Sequence, residues 1–179
     1  MIIINEKSFE IFLTKEEISN EIQRLSSALN SDYKGKDVVF IAILNGSFMF
    51  ASDLMKNIDL NCEITFVKVS SYDGTISTGK VNELIGLNSS ITNKHIVILE
   101  DIVDTGLTID SILPILEKEN PLSIKICSLL FKKEAFKGIT PPQYIGFTIP
   151  NKFVVGFGLD YNEKGRNLSE LYQLKNNLI

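Results

Sequence analysis

Cysteine is scarce in this chain: Cys62 and Cys127 are the only two among 179 residues. Two cysteines make neither a disulfide framework nor a zinc site. Both fall in apolar, strand-like stretches, which predicts buried free thiols in a reducing compartment. Long apolar runs are also missing. The longest, Val38 to Leu44, falls far short of the ~20 residues a membrane-spanning helix needs. Met1 to Leu13 has no basic stretch followed by a small-residue cleavage site, so no signal peptide is expected there. Positive charge is not in excess, with 18 Lys+Arg against 22 Asp+Glu and a net charge of -4. No basic field is available to hold a nucleic-acid backbone, and no nucleic-acid partner is expected. No internal repeat, low-complexity tract or Pro/Gly/Ser linker divides the chain. The expectation is one cytoplasmic domain spanning residues 1–179, with no membrane contact.

The composition, 44% hydrophobic and 22% charged, suffices to fill the interior of such a domain. Thr14-Lys15-Glu16-Glu17 has the form of a capping box, and Ile18, Ile22, Leu25 and Leu29 then repeat at helical spacing. Asp37 to Leu44 reads as a strand covered on both faces. Asn45-Gly46-Ser47 breaks it before a helix over Ser47 to Asn57. Further strands are predicted at Cys62 to Ser71, Val81 to Gly86, His95 to Leu99, Leu122 to Phe131, Tyr144 to Phe147 and Phe153 to Leu159. A helix is predicted to end near Lys118. Asp73 to Lys80 has almost nothing to bury and reads as a mobile loop between two paired strands. Strands alternating with helices indicate an α/β fold around a mainly parallel central sheet. The hairpin and the chain tail are expected to form a small cap. In such a sheet ligands bind beyond the carboxyl ends of the strands, here after Leu44, Leu99 and Leu159.

The loop after Leu99 carries the strongest chemical signal. Ile96 to Leu99 leads into Glu100-Asp101-Ile102-Val103-Asp104-Thr105-Gly106-Leu107-Thr108. Successive N–H groups at a helix start form an anion site, and glycine allows close approach to the main chain. Thr105 and Thr108 add hydroxyl donors. Carboxylates beside a phosphate repel it unless they face sugar hydroxyls or a metal, and Glu100 and Asp101 suit that work. Phosphate, ribose and neighbouring acids together suggest a phosphoribosyl ligand. A plain turn and helix cap, with Asp104 as the capping residue, is the bland alternative.

Leu99 to Thr108 resembles the phosphoribosyl-pyrophosphate signature of the purine phosphoribosyltransferases, and among them the hypoxanthine-guanine family. Leu44 to Phe50, Ser71-Tyr72, Ser77-Thr78-Gly79, Leu130 to Lys133 and Phe153 to Glu163 are similar to the same family in the same order. The resemblance runs from about Phe9 to Leu171. It implies the type I phosphoribosyltransferase fold, with a hood formed by the N- and C-terminal segments and a mobile β-hairpin lid. The implied activity is purine salvage. A 5-phosphoribosyl group passes from phosphoribosyl pyrophosphate to N9 of hypoxanthine or guanine, with Mg2+ as cofactor.

Carried over residue by residue, the resemblance makes Asp104 the catalytic base or hydrogen-bond partner at purine N7. Glu100 and Asp101 hold the ribose hydroxyls, and Thr105, Gly106, Leu107 and Thr108 hold the 5′-phosphate. Lys132 contacts the purine 6-oxo group, which disfavours adenine. Phe153 stacks on the base, while the carbonyls of Val154 and Asp160 reach its Watson–Crick edge. Pyrophosphate falls to Asn45, Gly46 and Arg166, in a loop whose Leu44–Asn45 peptide is cis in this family. Many members have Lys or Arg where Asn45 stands. Glu100, Asp101 and Asp160 are the implied metal contacts, and Ser71 and Tyr72 belong to the lid. A homodimer or homotetramer is implied as well. His95, at a strand entrance, receives no role. Two other readings remain: a regulatory phosphoribosyl pyrophosphate sensor that binds nucleic acid, and an enzyme for another base such as xanthine or adenine.

Overall fold

The structure is a computed structural model, and it describes residues 1–70, 83–87 and 90–175. Ser71, Tyr72 and the Asp73 to Lys80 loop lie outside the described residues, and so does the expected lid. In chain order the elements are β1 (Ile2–Ile4), β2 (Lys7–Leu13), α1 (Lys15–Asp32), β3 (Val38–Leu44), α2 (Phe48–Met55), β4 (Cys62–Ser70) and β5 (Glu83–Ile85). They continue with β6 (His95–Val103), α3 (Leu107–Glu117), β7 (Ser123–Phe131), β8 (Tyr144–Thr148), β9 (Val154–Val155) and β10 (Leu171–Leu174).

The central sheet has the order β5-β4-β3-β6-β7-β8. Strands β4, β3, β6, β7 and β8 are parallel, and β5 joins the β4 edge antiparallel. The two-residue period of β3 divides its side chains between two cores. Val38, Phe40 and Ala42 meet Ile18, Ile22, Leu25 and Leu29 of α1 and Phe50, Ala51 and Leu54 of α2. Val39, Ile41 and Ile43 meet Ile109, Ile112 and Leu116 of α3 on the other face. Burial on both faces is why β3 reads as unbroken apolar sequence. Helix α1 begins as expected: Thr14 N donates to Glu17 Oε2 at 2.8 Å and Glu17 N donates to Thr14 Oγ1 at 3.2 Å.

Four expectations are corrected. The strand predicted to end at Leu99 runs on to Val103. Glu100 and Asp101 therefore lie within β6, and both are buried while lining the same opening. Phe153 to Leu159 is not one strand. Only Val154–Val155 is extended, because Gly156, Phe157 and Gly158 follow with φ of 107°, 45° and 99°, which no strand accommodates. The small second sheet, β1-β2-β10-β9, comes from the two terminal segments, whereas β5 of the hairpin belongs to the central sheet. Cys127 is a buried free thiol as expected, but Cys62, opening β4 near the sheet margin, is only partly buried.

The chain turns from β3 through α2 to β4 on one side, then returns so that β6 lies on the other side of β3 and leads through α3 to β7. The carboxyl ends of β3 and β6 are thus the point where the winding reverses, and a crevice opens between the loops that follow them. Among the described residues, no helix is long and apolar enough to cross a membrane.

Candidate active site

At that reversal point lies an opening of about 400 Å3, lined by Ile43, Leu44, Asn45 and Gly46 from one loop and Glu100, Asp101 and Thr108 from the other. A second, of about 290 Å3, runs along Glu100 to Gly106, with Thr108 and Ile109. Two sequence segments more than fifty positions apart therefore share one cleft. The Leu44–Asn45 peptide is cis, as the resemblance implied.

Close packing holds the loops together. A Cβ on Gly46 would lie 1.7 Å from Asp101 Oδ2, and one on Gly158 would lie 2.0 Å from the carbonyl oxygen of Gly46. Glycine is required at both positions. Asp101, the loop after β3 and the turn after β9 are stacked in one column. Gly158 was overlooked as a site residue, although the Gly-Phe-Gly spacing marked it.

The two β6 acids are strained electrostatically. Burial pushes Glu100 well above the ordinary carboxylate range, and the neighbouring Asp101 adds to the rise. Its Oε2 is buried without a hydrogen-bond partner. Burial pushes Asp101 up to about 6, opposed by hydrogen bonds from backbone N–H groups and by the charge of Arg166. Ile102 N donates to Asp101 Oδ1 at 2.9 Å. A buried polar atom without a partner is costly, and Glu100 Oε2 could be satisfied by a hydroxyl or a cation.

Asp104 and Lys132, 28 positions apart in sequence, form an ion pair with 2.7 Å between Oδ2 and Nζ. The Lys132 side chain is 9% exposed and that of Asp104 is 43% exposed. The lysine is thus anchored beneath an acid that faces solvent. Its main chain is fixed to β6 by Lys132 N donating to Val103 O at 3.0 Å. The capping alternative for Asp104 fails: the residue opening α3 is Gly106, φ 87°, without a side-chain cap. Leu107 N donates only a long 3.5 Å bond to Thr105 Oγ1. The first-turn acid, Asp110, turns away to accept from Ile139 N. The amides at the start of α3 are left for an anion. Gly106 is again required, since a Cβ there would meet the Phe136 ring at 2.5 Å.

Arg166 lies between two acids, 2.7 Å from Asp160 Oδ1 and 3.1 Å from Glu163 Oε2. It also donates to Gly158 O at 3.0 Å, which ties it to the glycine column. Asp160 Oδ2 accepts from Glu163 N at 2.8 Å. Phe153 is 46% exposed at the entry to β9, and Val154 is buried beside it. It lines a different cavity from the acids, so the structure groups the expected residues into an acidic cleft and an aromatic flank. Ile102, partly buried and lining the cleft, was also overlooked. Among the described residues, no three histidines, cysteines or acids converge as a metal cage.

The sequence matches the phosphoribosyl transferase domain family over residues 9–162. It is 46% identical over 167 residues to a hypoxanthine-guanine phosphoribosyltransferase of Staphylococcus aureus, covering 93% of each chain. A Staphylococcus epidermidis protein of the same name is 43% identical, covering 92% of this chain and 93% of that one. A crystal structure of a hypoxanthine-guanine phosphoribosyltransferase from Bacillus anthracis superposes with a TM-score of 0.87. That protein is 34% identical, with 94% of this chain and 98% of the other covered. The chain belongs to the phosphoribosyl transferase family and, within it, to the hypoxanthine-guanine phosphoribosyltransferases.

Proposed function

We propose that this chain is a purine salvage enzyme. It transfers the 5-phosphoribosyl group of phosphoribosyl pyrophosphate to N9 of hypoxanthine or guanine, giving IMP or GMP and pyrophosphate. The observation that carries this reading is the Lys132–Asp104 pair at the mouth of the cleft. A lysine N–H donor beside a carboxylate acceptor matches the 6-oxo acceptor and the N7–H donor of a 6-oxopurine. Adenine presents an amino donor at position 6 and meets the lysine unfavourably.

As N9 bonds to the anomeric carbon, the bond to pyrophosphate breaks and its electron pair leaves with that group. Asp104 takes up the N7 proton as positive charge gathers on the base. The amides and hydroxyls of Thr105 to Thr108 hold the 5′-phosphate, Glu100 and Asp101 the ribose hydroxyls. The main chain of Asn45 and Gly46, with Arg166, holds pyrophosphate. Phe153 stacks on the base, and the carbonyls of Val154 and Asp160 reach its Watson–Crick edge. Orientation of this kind lowers the barrier by converting two encounters into one.

Mg2+ is the proposed cofactor. The residues fit it: Glu100 Oε2 has no partner, and Mg2+ is bound through few carboxylates together with water and substrate oxygens. Glu100 and Asp101 would hold it, with Asp160 acting through its water shell. When bound, the ion supplies positive charge against the departing pyrophosphate. We further propose one domain over residues 1–179, a cytoplasmic location and a homodimer or homotetramer. Light scattering at micromolar concentration is expected to give two or four chain masses, and a monomer removes the assembly.

The test of the reaction is a spectrophotometric assay with phosphoribosyl pyrophosphate, Mg2+ and, separately, hypoxanthine, guanine, xanthine and adenine. Nucleotide is expected with the first two. Binding of phosphoribosyl pyrophosphate without reaction of any base contradicts the proposal and favours a sensor.

A further inference from the structure

Phe153 is placed to meet a base, yet dense packing does not hold its ring. Almost half of the residue is exposed, and it lines a cavity of about 450 Å3 together with Glu10, Lys152, Gln173 and Leu174. None of the acids of the cleft lines that cavity. A phenyl ring at its edge has room to turn into it, and a turned ring no longer offers its face to a base.

What restrains the ring is aromatic. Tyr161 meets Phe153 edge to face, with 5.6 Å between centroids and 82° between planes. Phe9 of β2, fully buried, lies 6.4 Å from Phe153 and 6.1 Å from Tyr161. The three rings form a closed triangle. Tyr161 is itself held from the outside by the β1–β2 hairpin. Lys7 Nζ sits 4.6 Å from the centre of its ring, and Asn5 Nδ2 donates to its carbonyl oxygen at 3.4 Å. A cation over the ring and an edge contact to Phe153 both draw on the tyrosine π-system.

We propose that Tyr161 is a positioning residue for purine binding. It acts through Phe153, and through it the N-terminal hairpin reaches the base subsite. The inference rests on the reading of Phe153 as the base-stacking residue. Edge-to-face contact fixes the plane of Phe153 before a base arrives, so the base binds a ring whose rotation has already been restricted. Tyr161 itself touches no reacting atom. Its removal is expected to leave the phosphoribosyl and pyrophosphate groups untouched, because these fall to the β3 and β6 loops and to Arg166, which is held by Asp160, Glu163 and Gly158 rather than by the Tyr161 ring.

The experiment is steady-state kinetics with each substrate varied in turn. Tyr161→Leu is expected to raise the KM for hypoxanthine about 3- to 10-fold, the range an aromatic pair supplies, with the KM for phosphoribosyl pyrophosphate and kcat unchanged. Tyr161→Phe keeps the aromatic ring and is expected to retain the wild-type value. Lys7→Gln, an exposed change, is expected to raise the KM for hypoxanthine about twofold. In a Phe153→Leu background, Tyr161→Leu is expected to add nothing, since the two act through one contact.

Equal rises in both KM values, or additive effects of Tyr161→Leu and Phe153→Leu, overturn the proposal and make Tyr161 a fold residue. If Tyr161→Leu does not fold, Lys7→Gln decides alone, and an unchanged KM for hypoxanthine there overturns it. If Phe153→Leu leaves the KM for hypoxanthine unchanged, the stacking role of Phe153 fails instead. The two failures are thus distinguishable.

Discussion

At the amino end of the central sheet His95 Nδ1 meets Ser123 Oγ at 2.8 Å, Lys94 is ion-paired with Glu63, and Leu122 N donates to Lys94 O at 2.8 Å. At the carboxyl end, Glu100 Oε2 is buried without a partner, Asp101 is pushed up to about 6, and Asp104 extends an ion pair toward solvent. Both ends carry polar side chains on the same strands. At one end each named group has found a partner inside the protein. At the other, Glu100 Oε2 is buried without a partner among the described residues, Asp101 is buried with its carboxyl pushed up, and Asp104 reaches solvent while holding Lys132. Unsatisfied or buried polarity costs stability, and on the proposed function that cost is offset when substrate meets the carboxyl end.

Four substitutions break or sharpen this contrast. Asp104→Asn at the carboxyl end is expected to lower turnover about 10²–10⁴-fold, the size of a general-base contribution. Affinity for phosphoribosyl pyrophosphate, followed by calorimetry, should be nearly unchanged. Lys132→Gln is expected to reduce the preference for hypoxanthine over adenine about 10²-fold, read as the ratio of kcat/KM values, because the donor that opposes the adenine amino group is weakened. An unaltered ratio would remove Lys132 from base recognition.

Asp101→Asn tests the burial cost itself. The Asp101 carboxyl is raised from 3.8 to about 6 in the folded chain, so between those values the folded state binds the extra proton. Its contribution is fully present below 3.8 and is lost as pH rises through 6, by about 3 kcal/mol. Without ligand, urea denaturation at pH 7.5 should therefore find Asp101→Asn more stable than wild type, with the advantage gone at pH 4. Stability equal at both pH values would mean that the carboxylate is already compensated. His95→Gln at the amino end is the control. It should cost about 1 kcal/mol through the lost hydrogen bond, with kcat and both KM values unchanged. A kinetic effect there would break the division between the two ends.

Much of this division was legible in the sequence. The capping box at Thr14, the doubly covered strand Val38 to Leu44 and a helix opening after Gly106 each follow from local residue patterns, and the structure contains all three. Other features depend on distant parts of the chain. Two adjacent acids read as a strand end, but β6 continues to Val103 because Gly46 leaves room for one of them and α2, α3 and neighbouring strands cover the rest. The four-stranded sheet pairs Phe9 with Leu174 and Tyr172 with Val155, across separations that no periodicity reveals. The Lys132–Asp104 pair likewise exists only once β6 and β7 lie side by side. The choice of Lys132 over Lys133 came from family resemblance. The structure adds a physical reason, since Lys132 is buried against Asp104 while Lys133 is exposed.

The most direct test of the account is to follow phosphoribosyl pyrophosphate consumption by the wild-type protein with Mg2+, with and without hypoxanthine, measuring pyrophosphate and IMP together. The account predicts one IMP for each pyrophosphate released and negligible release without the base, because the poised carboxyl end completes its chemistry only when Lys132 and Asp104 meet a purine. Pyrophosphate release at the same rate without hypoxanthine, or with no IMP formed, would contradict it.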